Sequence, residues 1–353
     1  MKTAIIAITG NGARLGARLA EALPDALLHL PPKLADQVDS PCSVFQECLK
    51  ELVTRLWREY DGLVCIMATG IVVRLIAPLL EGKDRDPAVV VMDDAARFAV
   101  SLLSGHLGGA NQLAERCARL ADATPVITTA TDANGLPSFD TIAKEHGWVI
   151  EELSRVKVLN SLLLENRHIA VVDPTGRVEQ SFCGRGRLTF HTDFNSALRS
   201  SAQGFLFVTN RSLPPRILSP ELLVLRPRNL VLGIGCNSGT SAEEIEEVVI
   251  ANLKRQFLSL KSVRCIATAS AKQGEPGLLA FAERHSLPVV CYESSELNSV
   301  TPPSPPSRHA MDAVGAVGVA EPAALLASDG GSLLLKKVKS GNVTLAVAEI
   351  IKG

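Results

Sequence analysis

The stretch SLLSGHLGGANQLAERCARL, Ser101 to Leu120, decides how the first part of this chain is read. Leu102 and Leu103 end an apolar, strand-like run. Leu113, Ala114, Cys117, Leu120 and Ala121 then recur at helical spacing from about Ala110. Gly105, Gly108 and Gly109 fall where the strand hands over to the helix. Free N–H groups and the helix dipole favour an anion at such a junction, and glycine lets a ligand come close to the backbone. His106 sits in the middle of this loop, at the carboxyl end of a strand, where open α/β sheets bind ligands. Asn111 adds a side-chain amide. The competing reading is a tight strand-to-helix turn carrying an ordinary surface histidine.

Working outward, the same alternation repeats. TAIIAITGNGARLGARLAEAL reads strand, glycine loop, helix, and VFQECLKELVTRLW reads as an amphipathic helix. GLVCIM is a buried strand followed by ATG and an apolar helix that Pro78 shortens. AVVVMDDAARFAVSLL reads as two strands around a polar turn at Asp93-Asp94, EGKDRD (81–86) as a charged surface turn, and TPVITTATD as a strand with a polar end. This predicts an α/β fold with an open doubly wound sheet over residues 1–137. Residues 138–227 read as a small α/β middle module and 228–353 as a separate α/β domain. In the latter, Ser241 and Glu244 form a capping box. TPPSPPSRHA reads as an exposed loop, and LLLKKVKSGNVTLAVAEI as a terminal hairpin turning at Gly-Asn.

Composition narrows the function classes. The chain has 353 residues, 46% of them hydrophobic, which suits two or three packed domains. A net charge of −1 and an aromatic content of 4% argue against a nucleic-acid partner. The most apolar stretch is broken by Arg74 and Pro78, so no membrane span is expected. Eight scattered cysteines form no Cys-x-x-Cys pair. They read as reduced thiols of a cytoplasmic protein, with no metal site.

Other strand ends repeat the polar, glycine-rich theme: Thr69 and Gly70 with Arg74 one turn on, Thr128, Thr129, Thr131 and Asp132, and GIGCNSGTS with Gly235, Cys236 and Thr240. Each has an ordinary structural explanation. Together they suit a ligand bearing several acidic groups. GNGARLG approaches a dinucleotide fingerprint, but no acid follows a second strand about 20 residues on.

The blocks MATGIVVRLIAPLLEGKDRDPAVVVMDD, SLLSGHLGGANQLAERCA and PVITTATD closely resemble the CbiG-type cobalt-precorrin-5A hydrolase family of anaerobic cobalamin synthesis. GIGCNSGTSAEEI, KQGEPGLLAFAE and VAEPAALLAS resemble the family's C-terminal domain. Asn237-Ser238 stand where relatives usually carry basic residues. The resemblance implies a cobalt-corrinoid substrate whose ring A δ-lactone is opened by water, with the extruded two-carbon unit leaving as acetaldehyde. The cobalt would arrive on the substrate, with no cofactor of the protein's own. Homo-oligomers and contacts with neighbouring pathway enzymes stay open. For that reaction the residues suggest His106 as general base, Asp132 as its orienter or a second proton carrier, and Ser104, Gly105, Gly108 and Gly109 lining the oxyanion or a carboxylate arm. Thr69, Gly70, Arg74, Asn111, Thr128 and Thr129 would hold further arms, with Gly235, Cys236 and Thr240 in the last domain. A dinucleotide-dependent oxidoreductase and a non-catalytic corrinoid carrier are the alternatives.

Overall fold

The computed structural model describes residues 1–82 and 85–351. It divides into two compact units, Met1–Ile142 and a second that begins at Ala143. Lys83 and Asp84 of the expected charged turn lie outside the described residues.

The first unit is built on a seven-stranded sheet: β1 (Thr3–Ala7), β2 (Ala26–Leu30), β3 (Cys42–Val44), β4 (Gly62–Ile66), β5 (Ala88–Met92), β6 (Phe98–Leu103) and β7 (Thr124–Val126). The order across it is β3-β2-β1-β4-β5-β6-β7. β1, β4 and β5 are buried from end to end, as central parallel strands covered on both faces must be. Ile5, Val64 and Val90 point to one face, where Leu15 and Leu19 of the helix Gly10–Ala22 and Leu113 of the helix Ala110–Ala121 pack. Ile6, Leu63 and Val91 point to the other, against Leu52 and Leu56 of the helix Leu49–Glu59 and Val72 of the helix Thr69–Ile76. The doubly wound α/β architecture is therefore present.

One strand departs from the parallel pattern. After β5 the carboxylate of Asp93 accepts the N–H groups of Ala95, Arg97 and Phe98. This ties off a tight turn in the manner of an Asx motif. The chain reverses, and β6 runs antiparallel to β5 with Val89 opposite Leu103 and Met92 opposite Ala99. β7 follows β6 in the same direction. The carboxyl ends of β6 and β7 thus face the end of the sheet where β4 and β5 begin.

The second unit holds two five-stranded sheets. The first comprises β8 (Val149–Ile150), β9 (Ile169–Val172), β10 (Leu188–Phe190), β11 (Gly204–Val208) and β12 (Leu222–Arg226), ordered β10-β9-β11-β12-β8. The other comprises β13 (Leu230–Cys236), β14 (Val263–Ala269), β15 (Val289–Tyr292), β16 (Ser332–Ser340) and β17 (Val343–Glu349), ordered β15-β14-β13-β17-β16. The terminal hairpin turns at Gly341-Asn342, as the sequence indicates. Ser241 caps the helix Ala242–Arg255 by accepting the Glu244 N–H. The expected capping box is only half made, because the Glu244 carboxylate turns to the hairpin and accepts the Asn342 N–H. Gly233 is required by packing: a Cβ there would lie 1.9 Å from the Ala320 carbonyl oxygen.

The two sheets of this unit are stitched by backbone and side chain. Ser212 N–H donates to Phe257 O, and Ser259 N–H donates to Asn210 O. The Asn210 amide donates to Asn229 Oδ1 and Glu349 Oε1. Buried Arg226 donates to Glu151 and to the Thr209 and Arg211 carbonyls, while Lys261 reaches Glu151 from the other side.

Candidate active site

The loop after β6 is folded by its own backbone. Ser104 adopts φ +57° and Gly109 φ +92°. A Cβ on Gly108 would sit 2.3 Å from that of Ser104, so only glycine fits there. The Ala110 and Asn111 N–H groups donate to the Ser104 and Gly105 carbonyls. These two amides at the start of the helix, read from the sequence as anion donors, are therefore already used by the loop itself.

What the loop presents is a set of interlocked side chains. Asn111 is buried, takes the Ser101 hydroxyl on its Oδ1, and donates from Nδ2 to Thr129 Oγ1 and Asp132 Oδ2. Thr129 also donates its hydroxyl to Asp132 Oδ2, at 2.5 Å. His106 Nε2 lies 2.6 Å from the same Asp132 oxygen and 3.3 Å from the Thr131 hydroxyl. On the far side of the ring, His106 Nδ1 is 3.4 Å from Asp140 Oδ2. Asp140 lies in the first turn of the helix Phe139–Glu145.

The imidazole is thus held between two carboxylates. Burial alone works against charge on the ring. The hydrogen bonds to Asp140 and Asp132, and the field of both carboxylates, outweigh it and raise the His106 pKa above the usual histidine value. Exposure grades outward: the side chains of Asp140 and His106 are 12% and 16% exposed, and that of Asp132 is 40% exposed. The group meeting solvent is Asp132. Its Oδ2 carries the hydrogen bonds, and its Oδ1 accepts none among the described residues.

The structure therefore brings together Ser104, Gly105, His106, Gly108, Gly109, Asn111, Thr129 and Asp132. The Ser104 hydroxyl is enclosed and has no hydrogen-bond partner among the described residues, so it is not presented to a ligand. Thr128 lies on the same segment as Thr129 with its side chain exposed. Thr131, named with its polar strand end, belongs to the cluster, and so does Asp140, which was not singled out in the sequence. No spacing connects Asp140 to a loop over thirty residues earlier.

Thr69, Gly70 and Arg74 do not join this group, which corrects the single-site grouping expected from sequence. They follow β4, whose carboxyl end aligns with Met92, whereas the His106 loop follows Leu103 beside Val89. The length of β5 separates them. Arg74 donates to the Gly70 carbonyl of its own helix. The GNGARLG glycines at that same end are accounted for by packing. Thr9 caps the helix by accepting the Gly12 N–H, and a Cβ on Gly16 would meet Leu28 at 2.7 Å. Gly235 and Cys236 line a cavity inside the C-terminal domain, and the buried Thr240 donates its hydroxyl to Asn237 O.

Comparison with known proteins gives these features a family. Residues 51–132 match the family described as cobalamin synthesis G N-terminal. Residues 137–227 match the cobalamin biosynthesis central region, and 230–348 the cobalamin synthesis G C-terminus. A cobalt-precorrin-5A hydrolase from Priestia megaterium is 37% identical, over 98% of this chain and 94% of that protein. The Salmonella typhimurium protein of the same name is 30% identical, over 98% of this chain and 96% of its own. A solved cobalamin biosynthesis protein G homolog from Sulfolobus solfataricus aligns over 99% of this chain and 97% of its own, at 21% identity and a TM-score of 0.36. With all three family regions present in order and a curated relative matched along nearly its whole length, the chain belongs to the cobalamin synthesis G family of cobalt-precorrin-5A hydrolases.

Proposed function

We propose that this chain is a cytoplasmic cobalt-precorrin-5A hydrolase. It adds water to the ring A δ-lactone and releases the two-carbon unit as acetaldehyde, leaving cobalt-precorrin-5B. The observation that carries the chemistry is the Asp140–His106–Asp132 array in a chain that matches the hydrolases end to end. Cobalt rides on the substrate.

The geometry favours Asp132 over His106 as the base. Both nitrogens of the ring face carboxylates, Nε2 on Asp132 and Nδ1 on Asp140, and these two acids raise its pKa, so neither nitrogen is free to receive a water proton. Asp132 has one oxygen anchored and the other open to solvent. Its open oxygen takes the proton of the attacking water and returns it to the departing lactone oxygen, giving a carboxylic acid and a secondary alcohol. In the second step the same carboxylate takes the alcohol proton as the carbon–carbon bond breaks. The alcohol carbon leaves as the aldehyde carbonyl, and the bond's electron pair stays on the conjugated macrocycle, which is then protonated. His106 acts as a positioning residue that balances charge behind Asp132. Ser104 sets the loop that holds it, and Asn111 and Thr129 fix the rotamer of Asp132.

Purified protein incubated with the lactone-bearing cobalt intermediate, with aldehyde trapping, tests the reading. Stoichiometric acetaldehyde is expected from wild type. Absence of aldehyde from a well-folded wild-type protein overturns the function, and an Asp132→Asn variant with unchanged kcat overturns the role of Asp132.

A further inference from the structure

The C-terminal domain contains a cavity of about 420 Å3, within the usual range for small-molecule sites. One wall is polar and cationic. Lys337 and Lys339 stand two residues apart on β16, so both side chains fall on the same face, while Val338 between them packs into the core. Across the sheet Lys339 registers with Thr344 on β17, and Thr344 with Gly235 on β13. Lys272, from the segment after β14, is the third lysine lining the cavity. The opposite wall is apolar and comes from Ala310, Ala313 and Val314 of the helix Arg308–Val314 together with Val319.

No aspartate or glutamate lines this cavity among the described residues. Lys272 has a partial partner in Glu275, at 3.4 Å, and Lys337 donates to the Pro305 carbonyl. Lys339 is exposed and has no hydrogen-bond or ion-pair partner among the described residues. The chain has a net charge of −1, so a carboxylate-free wall with this many lysines is a local departure from its average surface. The wall is also held in shape. Buried Glu321 accepts the Ser304 N–H, the Ser304 hydroxyl and the Lys337 N–H, pinning the proline-rich loop to β16. That loop leads into the apolar helix. Such a cavity is complementary to a ligand with an apolar body and several anionic arms on one edge.

We propose that this cavity binds one edge of a polycarboxylate corrin ring. The lysines hold carboxylate arms and the alanine–valine wall lies against the macrocycle. The assignment of the ring rests on the substrate reading above.

The test titrates the full-length protein with cobyrinic acid, a cobalt corrin with free carboxylates, and with cobinamide, the same ring with amidated arms. Absorption shifts report binding. Wild type is expected to bind cobyrinic acid saturably and cobinamide at least roughly tenfold more weakly. Lys339→Glu and Lys272→Gln should each weaken cobyrinic acid binding by about tenfold or more, with circular dichroism and melting temperature unchanged. Lys336→Gln, at an exposed lysine of the same strand that does not line the cavity, should leave that binding intact. Equal affinity for the two corrins, indifference to both lysine substitutions, or no binding to wild type overturns the proposal. The two readings fail separately. Lysine-independent binding in a protein that still releases acetaldehyde sinks the cavity and spares the hydrolase. Lysine-dependent binding without aldehyde release does the reverse.

Discussion

The two ends of the seven-stranded sheet use the same ingredients to different effect. Both place glycine, threonine and a helix start behind a buried strand. At the end that follows β1 and β4, the polar groups gather around no shared side chain: Thr9 caps its helix and donates its hydroxyl to Asp94 on the turn after β5, and Arg74 closes onto Gly70 one turn away. At the end that follows β6 and β7, polar groups from two loops and a helix start share a single carboxylate. Residue types therefore do not distinguish the two ends. What separates them is that β6 and β7 run together, against the rest of the sheet, and so deliver both polar loops to one place.

The sharpest way to break this contrast is catalytic. Asp132→Asn should lower kcat for lactone opening by about 10²- to 10⁴-fold, the range for loss of a general base. Arg74→Ala and Thr69→Ala should change kcat/KM by less than about tenfold. Steady-state kinetics on all of them decides, and a loss in Arg74→Ala as large as in Asp132→Asn would erase the distinction.

The next effect concerns acid. His29 on β2 is 2% exposed, with neither ring nitrogen hydrogen-bonded among the described residues. Burial first, and then Arg55 nearby, push its pKa down to about 4. The unfolded chain binds a proton here more readily than the folded one. Stability is therefore fully present above pH 6.5 and falls as pH drops toward 4, by roughly 3 kcal/mol for 2.5 units. His29→Phe should flatten the melting curve across that window, read by calorimetry from pH 7 to 4. His106 has the opposite sign. Its raised pKa makes its contribution fully present below pH 6.5 and lost as pH rises through the folded value. His106→Asn should therefore cost more melting temperature at pH 6 than at pH 9. An equal cost at both would mean the two carboxylates do not hold its proton.

Asn111→Leu tests whether the shared carboxylate depends on its buried amide. Removing it unpairs the Ser101 hydroxyl and takes one donor from Asp132. That should cost about 1–3 kcal/mol in denaturant unfolding, together with a smaller loss of kcat than Asp132→Asn.

Much of this was legible from residues alone. The buried runs of β1, β4 and β5, the helix stripes, and the polar turn at Asp93-Asp94 all announce themselves by period and turn chemistry. The same turn also implied that β6 runs backward, since a hairpin reverses the chain. The rule that ligands gather at carboxyl ends of strands holds for parallel neighbours, and applying it across the hairpin wrongly joined Thr69 and Arg74 to His106. Asp140 was invisible because only the fold brings a residue of the next helix beneath the ring. The lysine wall was hidden similarly. Lys272 and Lys339 are 67 positions apart, and nothing local marks either as facing a cavity.

The stitching between the two sheets of the second unit has a practical consequence. Ser212, Asn210 and Arg211 on one side, and Phe257, Leu258, Ser259 and Glu349 on the other, are paired across the joint. A chain divided near residue 228 would leave donors and acceptors of both fragments stranded. Calorimetry of this half should accordingly register one cooperative endotherm, and swapping either sheet between relatives should succeed only when the facing seam travels with it.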